Sequence, residues 1–232
     1  MLKKISNIGD CGITCDFGDD VDKKTNKEVI KLFNFIGDSV KNKKIKGILN
    51  YTPSYNKLII NFDLEQVHSR EVIEFIKSND YSKTISSEKS KLVEIPICYD
   101  EEFALDIKRL EQKTKLNFDE IVKEHLNTDF FVYMIGFVPG QPFLGDLKEN
   151  LYHDRLDTPR VKINKGSVGI VEKFCTIYTF ESPGGWNIIG KTPLDLFNIK
   201  KKEPSHLSPG DSVKFRPVNK KDFLNFKNEQ IL

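Results

Sequence analysis

The sequence predicts an α+β protein with two domains, an α/β domain followed by a domain made mainly of β-strands. Over residues 11–79, apolar side chains recur alternately at strand and at helix spacing. A polar stretch over residues 86–91 then separates the two halves. From Phe130 onward, short apolar runs alternate with Gly, Pro and Asn, which is typical of a compact β-barrel or sandwich. We therefore predict domains over residues 1–85 and 92–225.

The first domain is predicted to contain its strands and helices in the order β-α-β-β-α. The patterns indicate strands over residues 11–18, 47–52 and 57–62, and helices over residues 22–41 and 65–79. This order is that of a ferredoxin-like half-sandwich. A short strand over Tyr81–Ser86 would complete it.

The second domain is predicted to open with one strand and two helices and to continue as strands. The first strand covers residues 92–99, and the helices cover 103–114 and 117–126. Asn117, with Glu120 three residues later, is typical of a helix N-cap and its capping partner. Further strands are indicated over residues 130–137, 167–171, 176–180, 186–190 and 212–216.

Composition excludes several classes of function. The net charge is +2 with interspersed charges, whereas a nucleic-acid-binding protein usually shows a concentrated basic stripe. We find no apolar run long enough to cross a membrane and no apolar core of a signal peptide, so we expect a cytoplasmic protein. The His and Cys residues are not at metal-ligand spacing, so we expect no metal. We expect reduced, mostly buried thiols at Cys11, Cys15, Cys98 and Cys175.

The most distinctive segment is Gly136–Leu147, which carries three glycines and two prolines around aromatic residues. Such a segment cannot continue as regular strand and must form a fixed loop. Its exposed backbone N–H groups could bind an anionic or carbonyl ligand. The alternative interpretation is a structural corner of the barrel.

A second distinctive segment, Ser182–Pro193, contains the single tryptophan, Trp186, next to a Gly-Gly step. Gly185, Gly190, Lys191 and Thr192 match the spacing of a phosphate-binding P-loop. We reject that interpretation because the intervening residues read as a strand and Pro193 follows immediately, whereas a P-loop leads into a helix.

Arg160 is one of only five arginines in a lysine-rich chain, and arginine alone can clamp a carboxylate or phosphate through two hydrogen bonds. His125 lies near a predicted helix end, where it is either a cap or an acid/base group. No nucleophile, base and acid occur in a recognisable arrangement, so the catalytic residues are unknown.

Taken together, several segments resemble the family of the 5-oxoprolinase B subunit and KipI, which includes proteins once labelled allophanate hydrolase subunit 1. They are Gly136–Leu144, Pro159–Arg160, Ile163–Val168, Ser182–Trp186, Ile189–Pro193 and Gly210–Phe215. The chain departs from the family pattern at several positions. An aromatic is usual at Gln141, Pro-Ala at Asn164-Lys165, Arg at Lys191, and Gln-Thr-Gly at Phe174-Cys175-Thr176.

The resemblance implies a ferredoxin-like N-terminal domain and a cyclophilin-like, carboxyltransferase-type β-barrel. It also implies a non-autonomous part of a hydrolase that opens 5-oxoproline to glutamate with ATP, as a heteromer with the C subunit, to which the A subunit can be added. The alternative is a KipI-type inhibitor of a sensor histidine kinase, without catalysis. The substrate-binding residues expected on this basis are Gly136, Phe137, Pro139, Gly140, Arg160, Ser182, Gly184, Gly185, Trp186, Lys191 and Thr192.

Overall fold

The structure, a computed structural model, describes residues 2–82 and 90–229. The chain divides into two compact units, Met1–Ser90 and Lys91–Leu232. The first contains β1 (Lys4–Asn7), β2 (Gly12–Asp16), α1 (Lys23–Lys41), β3 (Ile48–Pro53), β4 (Lys57–Phe62) and α2 (Ser69–Ser78).

The first unit is an antiparallel sheet with two helices. Its strand order is β1-β2-β4-β3, and β4 pairs antiparallel with both β2 and β3. Helix α1 starts at Asp22, whose side chain accepts the backbone N–H of Thr25, and it buries Leu32 and Ile36 in the core of the unit. The sheet therefore contains two parallel strands, joined through α1, with an antiparallel strand between them.

The edge beside β2 differs from the sequence prediction. Strand β1 occupies it and pairs with β2 as a hairpin. The predicted strand over Tyr81–Ser86 is not seen at residues 81 and 82, and the rest of it lies outside the described residues. The periodicity did not reveal β1 because the strand has only four residues and none of them is fully buried.

The second unit is built around a seven-stranded sheet. Its elements are β5 (Leu92–Ile97), α3 (Ile107–Thr114), α4 (Phe118–Leu126), β6 (Phe130–Ile135), β7 (Pro142–Gly145), a 3-10 turn (Glu149–Leu151), β8 (Arg160–Ile163), β9 (Ser167–Val171), β10 (Phe174–Ile177), β11 (Ser182–Gly184), β12 (Asn187–Lys191), β13 (Ser212–Pro217) and α5 (Lys220–Glu229).

The sheet closes almost completely into a barrel. The strand order is β12-β9-β10-β7-β6-β13-β5, with β5 and β13 parallel. Cys98, directly after β5, exchanges two backbone hydrogen bonds of 2.8 and 2.9 Å with Lys191 of β12. The first and last strands of the sheet are thereby joined.

One apolar core fills the barrel. It includes Ile95, Leu144 and Ile170 from the strands, and Leu110 and Ile121 from α3 and α4 pack against it. The coarse prediction of a mixed α/β protein with a β-barrel is therefore confirmed. Among the described residues, no helix has the length and apolar character needed to cross a membrane.

Candidate functional site

A two-stranded ribbon, β8 with β11, brings two of the predicted site segments together. Ser182 pairs with Ile163, and Gly184 pairs with Arg160, with a register shift between the two pairs. Leu156 donates its backbone N–H to the carbonyl of Gly185 at 2.8 Å, which ties the ribbon to the segment before β8. The Arg160 and Ser182–Gly185 segments are therefore neighbours.

Trp186 forms an apolar wall beside this ribbon. It packs against Ile163, Tyr178 and Ile188, which form a small buried cluster separate from the barrel core. Its ring lies 5.9 Å from that of Phe143 in an edge-to-face arrangement. Because Phe143 lies near the end of the Gly136–Leu144 segment, the third predicted segment also reaches this face of the barrel.

Arg160 is bound within the protein. Its two terminal nitrogens donate to both carboxylate oxygens of Asp106, at 2.9 and 2.6 Å. Asp106 is 5 % exposed and also accepts the backbone N–H of Ile188 at 2.7 Å. A buried carboxylate needs such a countercharge. Arg160, predicted as a free anion-binding group, therefore already uses both terminal nitrogens to bind the carboxylate of Asp106.

The predicted fixed loop over Gly136–Leu147 is wrong in its second half, because Pro142–Gly145 form strand β7 between β6 and β10, and only Gly136–Gly140 make a tight corner. Val138 donates to the carbonyl of Gly136 at 2.9 Å, and the Thr179 hydroxyl donates to the carbonyl of Pro139 at 2.8 Å. A Cβ on Gly140 would lie 2.6 Å from Phe197, so close packing requires glycine here. Phe137 has a φ of 69° and is 72 % exposed, a conformation that is rare for a bulky residue.

Two departures from the family pattern contact each other beneath this corner. The Gln141 amide nitrogen donates to the Thr176 hydroxyl at 3.1 Å, and that hydroxyl donates to the carbonyl of Pro142 at 2.8 Å. Both side chains are buried, and the Gln141 amide oxygen has no hydrogen-bond partner. The buried Gln141–Thr176 pair therefore leaves one amide oxygen without a hydrogen-bond donor.

Lys191 and Thr192 lie away from Trp186. They follow at the far end of β12, roughly 16 Å along the strand at about 3.3 Å per residue. Lys191 closes the barrel with Cys98, and its ammonium lies 5.7 Å from the centre of the Phe103 ring. Thr192 is buried and donates its backbone N–H to Gly166 at 2.9 Å.

The formal P-loop match therefore does not fit a nucleotide. Its residues between Trp186 and Lys191 form strand β12, and the backbone N–H groups of Lys191 and Thr192 are used inside the barrel. A Cβ on Gly190 would lie 2.8 Å from the carbonyl of Cys98, so the glycine serves barrel closure. A phosphate needs N–H groups that point into an open loop.

His125 lies in the barrel core and is fully buried. Its Nδ1 is 2.7 Å from the Tyr99 hydroxyl, and its Nε2 is 3.7 Å from the Cys175 sulfur. Burial lowers the pKa of His125 to about 3 and raises the pKa of the Cys175 thiol. A neutral imidazole enclosed in this way has no path to a ligand at the ribbon, so the geometry speaks against the acid/base role.

Several residues around the ribbon were missed by the sequence analysis. They are Asp106, Arg109, Arg155, Tyr178 and Asn187. Arg109 donates to the Asn187 amide oxygen at 2.7 Å and lies 2.9 Å from a ring nitrogen of His153. The rarity of arginine in the sequence marks Arg109 and Arg155 as well as Arg160, but only Arg160 was predicted to lie at the site.

The groups that meet at the ribbon could bind and orient a ligand. Positive groups, glycine backbone and an aromatic wall are present. Within residues 2–82 and 90–229, no group of three or more His, Cys, Asp or Glu side chains could hold a metal ion. A cleft of about 510 Å³ is lined by Tyr99, Phe118 and Val218, among others, and by none of the predicted site residues.

Comparisons with known proteins give a consistent result. A family model described as the carboxyltransferase domain, subdomain C and D, matches residues 3–207. The chain is 30% identical over 237 residues to the B subunit of 5-oxoprolinase from Bacillus subtilis (strain 168), covering 97% of both chains. It is 23% identical over 254 residues to a urea amidolyase of Lachancea kluyveri, covering 95% of this chain but 14% of that protein.

A solved structure shares the fold. The crystal structure of TTHA0988 superposes with a TM-score of 0.78 at 26% sequence identity. The match covers 89% of this chain, which spans 40% of the length of that one.

Proposed function

Because the chain belongs to the carboxyltransferase domain family, subdomain C and D, and within it to the B subunits of 5-oxoprolinase, we propose that it is one component of an ATP-dependent amide hydrolase. Its substrate is then 5-oxoproline, which the assembled enzyme opens to L-glutamate. Its partners are a protein of the C type and, in the full assembly, one of the A type.

One observation carries the proposal of a dependent subunit. Three sequence segments, represented by Arg160, Trp186 and Phe143, meet on one face of the barrel and form a surface suited to binding. In this part of the described chain we find no nucleophile within hydrogen-bond distance of an accessible base. Amide hydrolysis requires such groups at the reacting atoms, so a partner must supply them.

In this proposal the assembled complex uses ATP, and this chain alone does not. The glycine-rich Gly185–Thr192 segment does not fit a nucleotide, because it is a strand whose N–H groups close the barrel. Our proposal assigns the ribbon to substrate binding and leaves the nucleotide to another protein of the complex.

We also propose that the first unit has a ferredoxin-like fold and the second a cyclophilin-like fold, as the resemblance implies. The β2-β4-β3 order of the first unit supports a ferredoxin-like half-sandwich in which β1 takes the remaining edge. The closed seven-stranded sheet of the second unit supports a cyclophilin-like barrel.

The test is co-expression with the candidate C and A subunits of the same organism, followed by an assay for glutamate release from 5-oxoproline. We expect release only with ATP and only from the complex. The isolated chain and the complex without ATP are the controls. Turnover by the highly purified chain alone would refute partner dependence. A stable complex without turnover, together with inhibition of a sensor histidine kinase, would favour the alternative function as a kinase inhibitor.

A further inference from the structure

Three of the five arginines lie around the start of β12. Arg160 pairs with Asp106, which in turn binds the backbone of Ile188. Arg109 donates to the Asn187 side chain at 2.7 Å and to the backbone carbonyl of Arg155 at 3.4 Å. The chain has 36 Lys and Arg residues, and only five of them are Arg. Three of these five guanidinium groups therefore lie in one region.

The arginines of this region differ in their partners. Asp106 binds Arg160, whereas Arg109 contacts the Asn187 amide oxygen, a ring nitrogen of His153 and a backbone carbonyl. Arg155 is exposed, and the part of the chain that the structure describes records no carboxylate paired with it. Asp154 contributes its backbone oxygen to Asn187. Arg109 and Arg155 therefore have no carboxylate ion pair among the described residues, although the acidic residues Asp154 and Asp157 flank Arg155 in the sequence.

Arg155 and Arg160 lie close to the same glycine backbone. The Arg155 Nε is 3.7 Å from the position that a Cβ on Gly185 would occupy, and Arg160 pairs with Gly184 across the ribbon. A Cβ on Gly184 would collide with the Tyr178 hydroxyl. Two guanidinium groups, a phenol and a backbone without side chains thus lie together.

The Tyr178 hydroxyl is close enough to Arg155 and Arg160 for both positive charges to act on it. Burial raises the pKa of Tyr178 to about 12, and the positive charges of Arg155 and Arg160 act in the opposite direction. Both guanidinium groups are therefore within electrostatic range of one oxygen atom.

We propose that Arg155, Arg160 and the Gly184–Gly185 backbone form an oxyanion subsite, in which Arg155 makes the direct contact. The terminal nitrogens of Arg160 are turned toward Asp106, which makes Arg160 a supporting charge. This assignment rests on the proposed function, under which the oxyanion is the carboxylate of 5-oxoproline. A phosphate presents the same chemistry to arginine, so the test must separate the two.

The experiment is calorimetric titration of the purified chain with L-5-oxoproline, with 2-pyrrolidinone and with inorganic phosphate. The pyrrolidinone has the same lactam ring without the carboxylate. We expect saturable binding of 5-oxoproline and none of the neutral ring. Arg155→Gln should weaken 5-oxoproline binding at least about tenfold, the loss expected for one charge-assisted hydrogen bond. Arg155→Lys should restore only part of it, because lysine lacks the planar fork.

Arg216→Gln is the matched control, since Arg216 is a half-exposed arginine of the same unit, on β13. It should bind like the wild-type chain, and Trp186 fluorescence reports that each variant is folded. Failure of the wild-type chain to bind 5-oxoproline, or unchanged binding by Arg155→Gln, would overturn the subsite. Tighter binding of phosphate with the same sensitivity to Arg155→Gln would overturn the carboxylate assignment.

The subsite and the proposed function fail in different ways. Turnover by the complex without any effect of Arg155→Gln on 5-oxoproline binding removes the subsite and leaves the function. Binding of 5-oxoproline that depends on Arg155, without turnover in any assembled complex, leaves the subsite and removes the function.

Discussion

Two buried polar side chains, Asp106 and His125, each bind groups from distant parts of the second unit. Asp106 binds Arg160 and the backbone of Ile188, and His125 links Tyr99 to Cys175 inside the barrel. The partners in both networks come from within the protein. The network of His125 requires the neutral imidazole, so its contribution to stability depends on pH. The sequence indicated the residue types but not these partners, because the partners come from distant strands.

We expect the free energy of unfolding to decrease at acidic pH because of His125. Its pKa in the folded protein, about 3, lies below the ordinary value of 6.5, so the unfolded chain takes up a proton first as the pH falls. Stability is therefore fully present above pH 6.5 and is lost as the pH falls toward 3, by at most about 1.4 kcal/mol per pH unit. Urea unfolding followed by Trp186 fluorescence between about pH 7 and pH 5 measures this slope.

His125→Gln removes the titrating group and should flatten the slope, although the variant is less stable at neutral pH. His68→Gln, in the first unit, is the control and should leave the Trp186 transition unchanged. An unchanged slope in His125→Gln would show that other groups cause the acid sensitivity.

At the level of elements, closure of the barrel depends on one close backbone approach. Gly190 of β12 faces the carbonyl of Cys98, and the bridge between Lys191 and Cys98 lies beside it. At the other end of β5, Asp211 fixes the start of the strand through its side chain. Its buried carboxylate accepts the backbone N–H groups of Lys91 and Ser208, at 3.0 and 2.8 Å. The parallel strands β5 and β13 are thereby held at their starts.

We expect Gly190→Ala to destabilise the second unit by about 1–3 kcal/mol, because the added methyl group overpacks the closure point. A Cβ there would lie 2.8 Å from a backbone oxygen that cannot move without opening the barrel. Gly185→Ala is the matched control, since its nearest neighbour would be 3.6 Å away. Urea midpoints followed by Trp186 fluorescence compare the two, and equal midpoints would contradict the role of Gly190.

Helices α1 to α4 and the long strands were predictable, whereas helix α5 and the short strands were not predicted. Helix α4 starts at the predicted Asn117 cap, with the expected partner Glu120, because capping chemistry is local. Strands β8 and β11 have four and three residues and pair only with each other, so no periodicity marks them. Arg155 and Tyr178 were not predicted as site residues, because they reach the ribbon from the segments before β8 and after β10 through contacts with Gly185 and Gly184.

The whole molecule consists of two units with separate apolar cores. The core of the first includes Ile13, Leu32 and Ile60, and that of the second includes Ile95 and Ile170. The boundary between the units falls after Ser90, within the polar stretch over residues 86–91 that the sequence indicated. Each unit therefore has the means to fold around its own core.

Limited proteolysis of the full chain tests this division. The polar composition of residues 84–91 predicts that trypsin cleaves there first, and the second fragment should keep the fluorescence of folded Trp186. Mass spectrometry of the early fragments identifies the cleavage site. Early cleavage within residues 130–215 would contradict the division into two domains.

The parallel pairing of β5 with β13 has a consequence for synthesis on the ribosome. Leu92 emerges long before its neighbour Ser212, so β5 has no partner on that side until nearly the whole chain has been translated. Contacts between residues so distant in sequence form slowly. The first unit can complete its folding during this interval, since domains generally fold in the order of their synthesis. A nascent chain that stops short of β13 leaves an unpaired apolar strand, which is the state that chaperones recognise.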